Sequence, residues 1–142
     1  MFGFFKKASA VVNVTETIDV IENAVYAELK PLGFRKYGRT LHRFVSGDIS
    51  QVINFQNWSD SVCGNIGIRI PECAERTFHP ETNRKYYREE ECTIRSRLGV
   101  VSGKRETWYD LSKDPKKTGE KIIAEIKKKV IPAFGALKSL CL

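Results

Sequence analysis

The chain has 142 residues, 42% of them hydrophobic and 29% charged, which suits one core of ordinary size and argues against long disorder. Lys and Arg number 24 against 17 Asp and Glu, a formal net charge of +7 that favours acidic partners such as nucleic acid, anionic lipid or an acidic protein. No apolar run approaches the roughly 18 residues of a membrane span, and Met1 to Phe5 is followed, not preceded, by Lys6 and Lys7, so it does not read as a secretory signal.

Residues 1–14 form a loosely specified opening, and residues 15–142 read as a single domain. A helix is expected from about Thr15 to Lys30, because Ile18, Ile21, Val25, Leu29 and Leu32 recur at three and four. Thr15 or Thr17 can cap it, with Glu16, Asp19 and Glu22 near its positive end. Pro31 and Gly33 should stop it.

The stretch from Gly33 to Glu72 organises the rest. Phe34 to Tyr37 reads as a short strand. Thr40–Val45 and Ile49–Gln56 read as a hairpin about the Ser46-Gly47-Asp48 turn. In the second arm Ile49, Ile53 and Phe55 share one side and Asn54 and Gln56 the other, while Gln51 and Val52 break the alternation. The clearest strand follows: Val62, Gly64, Ile66, Ile68 and Ile70 point one way, and Cys63, Asn65, Gly67 and Arg69 the other.

Glu72 to Glu91 is long and polar, and reads as a loop that is functional or mobile. Cys92 to Leu98 is the next strand, with Cys92, Ile94, Ser96 and Leu98 inward and Thr93, Arg95 and Arg97 outward. Gly99 to Gly103 turns the chain into a last short strand within Thr107 to Leu111. A second helix begins at Asp114-Pro115 or at Thr118. Its stripe is Ile122, Ile126, Val130, Phe134 and Leu137, and Pro132 should kink it near Lys128 and Lys129. The lysines crowded there read as a solvated helix face.

Taken together, LKPLGFRKYGRTLHR, QVINFQ, NIGIRIPE and CTIRSRLG resemble the bacterial domain-of-unknown-function family 4304, over roughly Ile21 to Phe134. Trp108 falls where that family tends to carry a tryptophan. The resemblance implies a small bacterial α+β domain with no established activity and no assigned catalytic residue or cofactor. It also carries a pointer to toxin–immunity loci. Nuclease toxins are usually basic and call for an acidic inhibitor, so at +7 this chain would be a poor partner for one.

Catalysis finds little support. His42 and His79 are the two histidines, and neither has a Ser or Cys at a recognisable motif distance. Gly64 and Gly67 belong to a strand, not to a phosphate loop. Cys63, Cys73, Cys92 and Cys141 have no zinc-like spacing and read as reduced thiols of a cytoplasmic protein. No metal, cofactor or catalytic residue is therefore expected. The outward face of the sheet is the candidate binding surface: Arg69, Arg95, Arg97, Asn65 and Gln56, with Trp58 at its rim. Arginine forks suit carboxylate or phosphate. The acids Glu89 to Glu91 read as a solvated run that could also swing over and neutralise the guanidiniums.

The expectation is α+β: a single antiparallel sheet of about four to six strands, with N- and C-terminal helices packed on one face. The favoured function is a non-catalytic protein-binding module, immunity-like or regulatory, with a partner that is another protein and acidic in character. The alternative is nucleic-acid binding by the basic surface, weak and non-specific. A third reading is an enzyme acting on an anionic small molecule.

Overall fold

A computed structural model describes residues 14–74, 84–105 and 108–140. The opening segment, His79, Cys141, Thr107 and much of the long polar loop lie outside the described residues, as does the side chain of Leu137.

Helix α1 runs from Val14 to Leu29 and buries Ile18, Ile21, Val25 and Leu29, as the stripe requires. The α-helix ends at Leu29, just before the stop at Pro31 and Gly33. The chain tightens into a 3-10 turn, Lys30–Leu32, which proline tolerates in its first residues. Gly33 then closes it at φ +100°, its N–H on the Lys30 carbonyl at 3.0 Å. The tighter winding carries Leu32 off the stripe, and it is exposed.

Six antiparallel strands follow among the described residues: β1 Arg35–Tyr37, β2 Thr40–Val45, β3 Ile49–Trp58, β4 Ser61–Arg69, β5 Ile94–Arg97 and β6 Tyr109–Asp110. The order is β1-β2-β3-β4-β5. Strand β6 pairs with the other end of β4, Ser61 to Asp110 and Val62 to Tyr109. The β2–β3 hairpin has the expected register, Val45 opposite Ile49, with Gly47 and Asp48 both at positive φ in the turn.

Helix α4 spans Pro115–Glu125, after two short helical turns, α2 at Pro71–Ala74 and α3 at Leu98–Val101. Asp114 caps α4, accepting from the Lys117 N–H at 3.1 Å. The expected kink takes the form of a π turn, Ile126–Val130, leading into α5, Ile131–Leu140. Pro132 has no N–H to give to the preceding turn, and the wider winding accommodates that loss. Ile122, Ile126, Val130 and Phe134 are buried against α1 and one sheet face. At Gly119 the helices come so close that a Cβ would lie 3.1 Å from Ile21 Cγ1.

That helix-covered face holds Ile49, Ile53, Phe55, Val62, Ile66 and Ile68 in one core with the helices, so the α+β expectation describes the molecule. Gln51 also points to this side, where its Nε2 donates to the Phe134 carbonyl at 3.2 Å. Val52 points to the opposite side and is fully buried there. The broken alternation of β3 therefore has a cause: both faces of the sheet are covered at that point.

The cover is a strap, residues 84–93, containing a 3-10 turn at Glu89–Glu91. It changes the reading of this face. The opposite face is not wet throughout. Gly67 is covered, since a Cβ there would lie 2.6 Å from Cys92 Sγ. Cys92 does not share a side with Ile94. The strand begins only at Ile94, so Cys92 still belongs to the strap and sits over Gly67. Ile94 itself is half-exposed because β5 is an edge strand.

Candidate functional site

Strand parity puts Ser50, Val52, Asn54, Gln56 and Trp58 of β3 on the face away from the helices, beside Cys63, Asn65, Gly67 and Arg69 of β4. Register then brings Arg95 opposite Gly67 and Arg97 opposite Asn65. All six candidate residues thus lie on one side of one sheet. The strap divides them.

Under the strap, Arg69 is only 2% exposed, with its guanidinium 3.8 Å from the centroid of the Tyr87 ring. It is interior, not a surface anion fork. Next to it His42 hydrogen-bonds Ser50 Oγ through Nε2 at 2.9 Å, and the Phe44 ring meets it edge-on at 4.4 Å. Tyr86 stacks on Tyr37 at 4.3 Å. Burial lowers His42 from the ordinary 6.5 to about 4, so the ring is neutral near pH 7.

The strap is pinned by the acids that read as a solvated run. Glu89 and Glu91 are buried. Glu91 takes Arg84 in two hydrogen bonds, 2.6 and 3.2 Å, and accepts the Arg88 backbone N–H at 2.8 Å. Burial alone would raise the Glu91 carboxyl, but the Arg88 N–H and the Arg84 guanidinium outweigh it and hold it below the usual range. Glu89 receives Arg95 Nε at 2.7 Å and Nη2 at 3.2 Å. The anion that Arg95 calls for is internal.

Beyond the strap the face lies open. A polar groove of about 430 Å³ is lined by Asn54, Gln56, Asn57, Asn65, Glu90 and Arg95, among others. Asn65 Nδ2 donates to Asn54 Oδ1 at 2.9 Å and to Gln56 Oε1 at 3.2 Å. Arg97 Nη1 donates to Cys63 Sγ at 3.2 Å, and its guanidinium lies 5.4 Å from the Trp108 ring. Trp108 in turn meets Trp58 edge-on, centroids 6.2 Å apart. Trp58 is 74% exposed, far more than the other large apolar side chains of the sheet.

The thiols here are poor nucleophiles. Burial pushes Cys63 up, and Arg97 offsets only part of that. Burial, with Glu89 and Glu91 adding to it, pushes Cys92 to about 12. Among the described residues no three His, Cys, Asp or Glu side chains converge as metal ligands, and no helix is long and apolar enough to cross a membrane.

Sequence reasoning placed Arg95, Arg97, Asn65, Gln56 and Trp58 together by parity. It put Arg69 with them and left out Trp108 and Tyr87, while the alternative in which Glu89 swings over to a guanidinium is the one found at Arg95. Parity along a strand cannot show which half of a face a distant segment covers, nor that β6 delivers Trp108 to Trp58 across 50 residues of chain.

These features define a small α+β protein with helices on one sheet face and, on the other, a strapped aromatic cluster beside an open polar patch. The chain matches, over residues 25–136, the family described as Domain of unknown function (DUF4304), and it belongs to that family. No curated protein matches the chain, and no solved structure does.

Proposed function

We propose that this protein is a non-catalytic protein-binding module, immunity-like or regulatory in role, and that the open half of the polar face is its docking surface. The observation that carries the reading is the exposed Trp58 indole set against Trp108, with Arg97 stacked over the latter. Tryptophan and arginine are the side chains that supply most of the energy at protein interfaces, when neighbours exclude water around them. Here a rigid strand end holds them, beside a groove of amides that can hydrogen-bond a partner's backbone.

The non-catalytic part of the reading is supported by the state of the reactive groups. His42 is buried and neutral, and Cys63 and Cys92 are held as thiols. Nucleic-acid binding is the second reading, favoured by the net charge of +7 and by the exposed indole as a stacking surface. Glu89 and Glu90 on the groove wall work against a phosphate backbone there, and they rank it second.

The test is affinity capture from the native host with wild-type protein and with Trp58→Ala. The captured partner is then purified and titrated against both. The expected result is a partner protein whose Kd weakens at least about tenfold in the variant, or roughly 1.4 kcal/mol. Equal affinity would remove this surface. A captured nucleic acid with a steep salt dependence would promote the second reading.

A further inference from the structure

Helices α1 and α4 lie side by side and run the same way. Ile21 meets Gly119 towards the start of the pair, and Lys127 Nζ reaches Glu28 Oε1 at 2.9 Å towards its end. Above Gly119 the side chains do not fill the gap. A cleft of about 460 Å³ remains, walled by Thr17, Val20 and Ala24 of α1 and by Lys116, Gly119 and Ile123 of α4, among others. It opens outward, since Ile21 at its base is buried while Val20 on its rim is 68% exposed. Among the large apolar side chains described, Trp58 alone is more exposed. An aliphatic side chain standing in solvent beside an apolar hollow marks a contact surface.

The two walls differ in charge. Helix α1, VTETIDVIENAVYAEL, has no lysine or arginine, and Glu16 and Glu28 are exposed on it. Helix α4 and the π turn after it, PKKTGEKIIAE and IKKKV, hold six lysines against two glutamates. The helix layer is acidic along one side of the cleft and basic along the other. Such a surface complements itself, as a two-fold contact between identical patches requires. We propose that the cleft is closed by a second copy of this chain. A two-fold axis along the cleft lays α1 of each copy on α4 of the other and brings residues of equal height together. Ile21 is level with Gly119, so Glu16 of one copy comes within a turn of Lys116 of the other, and Val20 enters the hollow beside Ile123. The net charge of +7 opposes the approach of two copies at long range, but at physiological salt charges more than about 8 Å apart are screened and the facing pairs decide. Helix α1 is about 24 Å long and two helices abreast are about 20 Å wide, so each copy offers about 500 Å². That is at the small end of specific interfaces, which makes the dimer a micromolar one. Its association does not rest on the docking role proposed above. Because Trp58 lies on the sheet face away from the helices, the dimer turns two such faces outward, and a partner with two epitopes gains by avidity.

The experiment is sedimentation equilibrium of the full chain at physiological salt, over concentrations from about 1 to about 200 μM that bracket the expected Kd. Wild type should follow one monomer–dimer equilibrium with a Kd of about 10 μM, within a factor of ten. Val20→Glu sets a charge against the apolar hollow and should weaken association at least about tenfold. It should not lower the melting temperature of the dilute chain, because the side chain is exposed. Glu16→Lys and Lys116→Glu should each weaken the dimer several-fold, and the two together should restore it, since the charges are then exchanged across the axis. Trp58→Ala should leave the dimer unchanged. A monomer over the whole range would overturn the inference. So would a dimer that Val20→Glu leaves intact, charge exchanges without effect, or a dimer lost with Trp58→Ala, which would place the contact on the polar face. A monomeric wild type whose Val20→Glu variant melts earlier would also overturn it, showing the cleft to be filled from within its own chain.

Discussion

The two halves of the polar sheet face carry the same kinds of residue and are used in opposite ways. Under the strap, Arg69 is stacked on Tyr87, His42 is wrapped by rings, and Gly67 accepts the Cys92 sulfur because it has no Cβ. Beyond the strap, Arg97 lies over Trp108, Asn65 holds two neighbouring amides, and Trp58 stands in solvent. A guanidinium on an aromatic ring is part of the interior in one half and part of a surface in the other. What separates them is ten residues of strap, residues 84–93, and not the chemistry of the strands.

If the covered half is a second core, breaking its anchor should be costly. Tyr87→Ala removes a buried ring that touches Arg69 and lies near His42 and Phe44. It should destabilise by about 3–4 kcal/mol in urea unfolding, the usual cost of emptying an aromatic site. A loss below about 1 kcal/mol would mean that the strap is a surface loop and that the two halves do not differ.

The next effect is one of pH. His42 stays neutral in the folded protein down to about 4, while in the unfolded chain it takes up a proton near 6.5. Below pH 6.5 the unfolded state therefore binds more protons, and stability falls until the folded-state value is passed. Above pH 6.5 this loss disappears. Between pH 7 and pH 4.5 it amounts to about 2 kcal/mol. Unfolding curves for wild type and His42→Gln, compared over that range, should differ in slope by this amount. Parallel curves would place His42 in contact with water.

Gly67→Ala sharpens the same contrast. The added methyl would press on Cys92 Sγ and Cβ, at 2.6 and 2.9 Å, and should cost about 1–3 kcal/mol. The partner titration should scarcely notice it, because the groove lies on the other half.

In the open half the stability effects should be the smallest. Arg95→Ala with Arg97→Ala takes the half-exposed Arg95 guanidinium from the buried Glu89 carboxylate and breaks the Trp108 contact, and should cost about 1–2 kcal/mol. Partner binding, read in the same protein, should be lost. Intact binding with lowered stability would make these arginines strap fasteners and nothing more.

The architecture could be read from the chain because its cues are local. The apolar stripes of Ile18 to Leu29 and of Ile122 to Phe134, the alternation from Val62 to Ile68 and the Ser46-Gly47-Asp48 turn each act within a few residues. Pro132 likewise announces a break in its helix, because a missing N–H is a property of the residue itself. The site was half legible. Parity assigns Gln56, Asn65, Arg95 and Arg97 to one face, since side chains on a strand alternate whatever lies above them.

What lies above them was decided by tertiary structure alone. Arg69 was expected in solvent beside Arg95, because nothing near it in sequence shows that Tyr87 will fold across it. Glu89 and Glu91 read either as a solvated run or as acids that swing over the guanidiniums, and the choice falls to the second because Arg95, Arg84 and the Arg88 backbone reach them. The same holds for the meeting of Trp58 and Trp108, set by a two-residue pairing of β6 with β4. Periodicity records which way a side chain points, whereas burial depends on which distant segment arrives to cover it, and that is settled only when the whole chain has folded.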